Sequence, residues 1–111
     1  MEVVVASHGP RVAVAHLKGR LDLMSAPDVH ARLTESVAAG QDRLVVDLAA
    51  VPFIDSSGLG ALISALKAAR QAGGDLRIAR PDEQPLTVLK LTTLDRVLKP
   101  YTTLEEALTG L

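Results

Sequence analysis

Residues 43 to 51, RLVVDLAAV, form a near-continuous apolar run. A strand with apolar side chains on both faces needs cover on both, so it belongs in the middle of a sheet. The sequence after it supplies part of that cover. Leu59, Leu62, Ile63 and Leu66 recur at i, i+3, i+4 and i+7, the stripe of a helix packed on a core. Gly73 and Gly74 end that helix, and DLRIA (75 to 79) alternates as another strand. The alternation of strand and helix predicts an α/β domain with a mostly parallel core sheet.

The N-terminal part reads as a hairpin. VVVA (3 to 6) is short and β-branched, SHGP (7 to 10) breaks it, and RVAVAHLKG (11 to 19) resumes. In that second strand Val12, Val14, His16 and Lys18 share one face, and Ala13, Ala15 and Leu17 the other. A first helix follows GRLD. Ser25 is placed as its N-cap, Pro27 and Asp28 in its first turn, and Val29, Leu33, Ser36 and Val37 on its core stripe. Gly40 closes it. Beyond the fourth strand, RPDEQP is read as a loop, LTVLKL (86 to 91) as a short helix, and LDRVLKPY as a turn with a short extended piece. Thr102 with Glu105 is read as a capping box that opens the last helix. The expectation is one α/β domain over residues 1 to 111. It has a mixed, mostly parallel sheet with an antiparallel N-terminal hairpin.

Composition narrows the function. With 111 residues and 48% hydrophobic content the chain can bury one core, and Phe53 and Tyr101 are its only aromatics. A net charge of −1 argues against non-specific nucleic-acid binding, which needs a basic face. The absence of cysteine excludes disulfides, thiolate metal sites and cysteine nucleophiles. No segment approaches the roughly 20 apolar residues that span a bilayer, and the N-terminus lacks a basic region before a hydrophobic run. A cytoplasmic, soluble protein without membrane insertion is expected.

Enzyme signatures are scarce. There is no phosphate-binding P-loop and no nucleophile elbow, and the Gly58-x-Gly60 pair lacks the third glycine of a dinucleotide loop. His8, His16 and His30 are scattered without metal-ligand spacing, so no metal site and no cofactor is expected. The remaining candidate is the loop at 54 to 58. Asp55, Ser56 and Ser57 are all good helix caps, and on these residues alone capping is the favoured reading. Two features point further. One cap suffices, yet three polar residues cluster where a strand meets a helix, the rim on which α/β sites collect. Asp22 ends the preceding strand, and if the two strands are parallel neighbours it lies near Ser56. The helix also carries Ser57, Ala61, Ser64, Ala65, Ala68 and Ala72 on what reads as its outward face. That surface would be smooth enough for a partner, or simply the mark of a good helix former.

The segments GRLDLMSAPDV, LVVDLAAVPFIDSSGLGALISALKAARQAGGDLRIA and LTVLKLTTLDRVL together resemble the bacterial anti-sigma factor antagonists, which consist of a STAS domain. The resemblance covers essentially the whole chain. Its specific element is D-S-[ST]-G-[LIV]-G, supported by G-x-[LIV]-D. It implies a small α/β domain with about four helices mainly on one face of the sheet. It also implies that Ser56 is phosphorylated by a partner that is both serine kinase and anti-sigma factor. Asp55 would shape the loop and Asp22 would be its acidic neighbour. Ser57, Gly58, Ala61 and Ser64 would complete the docking surface, with Ser57 also a cap. The unphosphorylated form would bind the anti-sigma factor and free the sigma factor, and a phosphoserine phosphatase would reset the switch. The chain would be a substrate and binding module, not an enzyme. Two other classes stay open: a STAS accessory subunit of an ABC-type lipid transport complex, and a serine hydrolase built on Ser56.

Overall fold

A computed structural model describes all 111 residues. The apolar run is strand β3 (Arg43–Ala50), the third of five in a sheet whose spatial order follows the chain. Strand β1 (Glu2–Ser7) pairs antiparallel with β2 (Val12–Lys18), Val4 facing His16 across the pair. From β2 onward every pairing is parallel: β2 with β3, β3 with β4 (Asp75–Ala79), and β4 with the two-residue β5 (Pro100–Tyr101). Helix α1 (Ala26–Ala38) crosses from β2 to β3, and α2 (Ser56–Gln71) from β3 to β4. Then come α3 (Glu83–Leu91), a 3-10 turn (Leu94–Arg96) and α4 (Leu104–Leu108). No helix is long and apolar enough to cross a membrane.

Alternation along the strands divides the core. Ala13, Ala15 and Leu17 of β2 join Leu44, Val46 and Leu48 of β3 and the stripes of α1 and α2 in one large cluster. Val14, Val45 and Ala79 point to the other face, where Ala107 of α4 covers them. β3 is thus apolar on both sides because helices lie on both sides, most of them on one.

One open choice among caps is resolved and three local expectations change. The cap of α2 is Asp55, and the two serines are its first helical residues. Ser25 precedes α1 without a side-chain cap bond, its hydroxyl being engaged elsewhere. α3 begins at Glu83 under an Asp82 cap, so Glu83, Gln84 and Pro85 of the expected loop are helical. In the last helix the cap is Thr103, which accepts from the Glu106 N–H, and Thr102 lies one residue outside.

The chain ends lie on opposite rims. Met1 sits beside Gly19, at the C-terminal end of β2. The Leu111 carbonyl accepts from Arg43 at the start of β3.

Candidate functional site

The parallel pairing of β2 and β3 continues past the strands. Leu21 and Ile54 form a further parallel bridge, with Leu21 N–H on the Phe53 carbonyl at 2.9 Å and Asp55 N–H on the Leu21 carbonyl at 3.2 Å. The loops after β2 and β3 are thereby held together, and Asp22 comes to the same rim as Asp55 and Ser56. A third element braces them. Gln84 of α3 accepts from Ile54 N–H at 2.9 Å and donates to its carbonyl at 3.0 Å. Arg20 adds a guanidinium over the Phe53 ring, 4.0 Å from its centre.

Asp55 organises the junction with two oxygens. Oδ1 accepts from Gly58 N–H at 2.9 Å and so caps α2, while Oδ2 accepts from Leu23 N–H at 3.2 Å across the rim. Gly58 has to be glycine for steric reasons. A Cβ there would collide with the Leu21 carbonyl and stand 2.8 Å from Leu21 Cγ and 2.9 Å from Ile54 Cγ1. Asp22 folds its own loop, accepting from Met24 N–H at 3.0 Å and Ser25 N–H at 3.3 Å. The Ser25 hydroxyl donates to the Arg20 carbonyl at 2.7 Å and accepts from Asp22 N–H at 3.0 Å.

Ser56 is exposed at the first position of α2, and Ser57 is half-buried at the second. Their backbone N–H groups have no partner in the chain, as is usual in the first turn of a helix. The rim therefore presents a hydroxyl on a rigid helix end with free donors beside it. Asp22, Asp55, Ser57 and Gly58 lie on the same rim. Ser64 and Ala61 do not. The Ser64 hydroxyl meets His30 of α1 at 3.0 Å, so this face of α2 is the one that packs on α1. Ala61 and Ala65 are buried there, so the smooth face expected from the sequence is divided: these two pack inward, Ser57 and Ala68 are half-buried, and Ser64 and Ala72 stay exposed. Small residues let α1 and α2 approach closely. No histidine serves Ser56: His16 and His30 are engaged elsewhere and His8 lies in the β1–β2 turn.

Away from this rim is a polar cluster that the sequence reading passed over. Asp47 of β3, only 4% exposed, accepts from His16 Nδ1 at 2.7 Å and from Arg80 Nη2 and Nε at 2.6 and 3.1 Å. Burial works against its ionisation, but the hydrogen bonds from Arg80, the Ala49 N–H and His16 prevail and hold the carboxyl below its ordinary range. A lone acid inside RLVVDLAAV was the available signal. Gln84 gave none, because its partner is the backbone of a distant loop.

A STAS domain family model matches residues 4 to 107. The chain is 34% identical over 108 residues to the anti-sigma-F factor antagonist RsfB of Mycobacterium tuberculosis, covering 97% of this chain and 87% of that one. It is 36% identical over 74 residues to a Thermotoga maritima protein assigned as an anti-sigma factor antagonist. That match spans 67% of this chain and 66% of the relative's length. The crystal structure of an anti-sigma factor antagonist from Mycobacterium paratuberculosis superposes with a TM-score of 0.86 at 29% identity, covering 98% of this chain and 92% of that one. The chain belongs to the STAS domain family, and anti-sigma factor antagonists are among its relatives.

Proposed function

We propose that the chain is an anti-sigma factor antagonist controlled by phosphorylation of Ser56. In this reading the unphosphorylated form binds an anti-sigma factor that is also a serine kinase, and the sigma factor is freed. Phosphorylation of Ser56 ends the binding, and a phosphoserine phosphatase restores it. The observation that carries the reading is the exposed Ser56 at the first position of a 16-residue helix capped by its neighbour Asp55. The relatedness to RsfB supplies the class of partner. An accessory role in a transport complex would not require that serine to be phosphorylated.

The switch works by charge at a surface. A phosphate brings about −1.5 to −2 charges at pH 7. On the free chain its oxygens can meet the unpartnered N–H groups of the first turn and the positive end of the helix dipole. The fold thus tolerates the modification without rearrangement. Inside a docked interface the same charge would be stripped of water beside Asp55 and Asp22. Such a placement costs several kcal/mol, or roughly 10²-fold or more in affinity.

The test is incubation with candidate anti-sigma kinases and ATP, followed by mass mapping. Modification should vanish in Ser56→Ala and persist in Ser57→Ala. Ser56→Asp should fail to bind the kinase that binds the parent. Equal binding by Ser56→Asp would overturn the charge mechanism. So would amide shift changes spread far beyond the two rim loops and the start of α2 on phosphorylation.

A further inference from the structure

The tip of the β2–α1 loop departs from the burial pattern of the chain. Leu23 is 68% exposed and its neighbour Met24 87%. Isolated apolar side chains on a surface need no explanation. These two are adjacent, and their backbone is pinned. Leu23 N–H is on Asp55 Oδ2, Met24 N–H is on Asp22 Oδ1, and the next residue, Ser25, is buried with its hydroxyl on the Arg20 carbonyl. The fold therefore holds two large apolar groups out in water on a rigid support.

Their place decides what they fit. Asp55 precedes Ser56 and also touches Leu23, so the tip adjoins the proposed phosphoacceptor. A kinase that modifies Ser56 must seat itself over that hydroxyl. A standard interface buries about 800 Å² per partner, a patch roughly 30 Å across, and no such patch centred on Ser56 misses the tip. What remains exposed of the expected α2 face is small side chains such as Ser64 and Ala72, and Leu23 and Met24 are the most exposed large apolar groups on this rim, ahead of Met1. Methionine is enriched at interfaces and adapts to irregular pockets, and a pre-ordered backbone lowers the ordering cost of docking.

We propose that Leu23 and Met24 are the apolar anchor by which the anti-sigma kinase grips the unphosphorylated chain, resting on the phospho-switch reading above. The anchor sets how tightly the chain docks, and Ser56 sets whether it docks at all. Binding that is equal in ground and transition states lowers KM and leaves kcat alone. Loss of the anchor therefore raises the KM of phosphorylation at unchanged kcat.

The experiment compares the parent, Ser56→Asp, the double variant Leu23→Ser/Met24→Ser, and Val4→Ser, an exposed apolar residue on the opposite sheet face. The probe is the purified kinase from the chain's own genome that binds the parent and rejects Ser56→Asp. The double variant should bind about 30-fold or more weakly, with KM raised in step and the melting temperature unchanged, while Val4→Ser binds normally. The Met24 methyl resonance of the parent should shift when the kinase is added, a readout that needs no variant. Binding of the double variant within about 3-fold of the parent, or an unmoved Met24 methyl, overturns the anchor and leaves the switch standing. If no kinase distinguishes the parent from Ser56→Asp, the switch reading falls and the anchor falls with it.

Discussion

At the scale of single residues, Asp55 is the economical part of the rim, since one carboxylate serves amides from two separate loops. Asp55→Ala should cost about 1 to 2 kcal/mol in a urea titration, the usual range for a lost N-cap plus a second charged hydrogen bond. Amide exchange should quicken at Gly58 and at Leu23 together, which a loss of the cap alone would not produce. Gly58→Ala should destabilise by about 1 to 3 kcal/mol, because the added methyl meets backbone on one side and two buried side chains on the other. The sequence placed Asp55, Ser56 and Ser57 at the junction but could not rank them as caps. All three residue types fill that role, and only the backbone angles select Asp55, which is extended while the serines are helical.

Helices and strands were more legible than their ends. The stripes of α1 and α2, the hairpin and the central β3 follow from periodicity, which is set by burial and so leaves a mark at many positions. Ends rest on one or two residues. Both Thr102 and Thr103 are followed by a glutamate three residues on, so the pattern fits either, and the chain uses the second. α3 looked shorter than it is because Pro81 and Pro85 read as loop; Pro85 lies in the first turn of the helix, where its missing N–H is not needed. That extra turn matters, since it carries Gln84. Gln84→Leu should leave both backbone groups of Ile54 without partners and cost about 1 to 3 kcal/mol. The Ile54 amide should exchange faster, and a rate unchanged from the parent would show that α3 does not brace the rim.

For the molecule as a whole, the mostly parallel sheet with its N-terminal hairpin was implied by the strand–helix alternation, but the strand order and the Asp47 cluster were not; His16 and Arg80 lie 31 and 33 residues from Asp47 in sequence. The cluster gives stability a defined pH dependence. Asp47 is held below its ordinary range, as is Asp42 beside the Arg11 guanidinium. A carboxyl depressed in the folded state contributes fully above its unfolded value, about 3.9, and loses that contribution as pH falls through the folded one. Urea midpoints should be level for this pair between pH 7 and 5 and fall below about pH 4. Asp47→Asn should make that decline shallower without abolishing it, because Asp42 remains. The positions of the two chain ends bear on how the protein can be handled. A fluorophore or fusion attached ahead of Met1 would emerge beside Gly19 and the β2–α1 loop and report on, or crowd, whatever settles on that loop. The same group placed after Leu111 would hang from the far pole and stay silent.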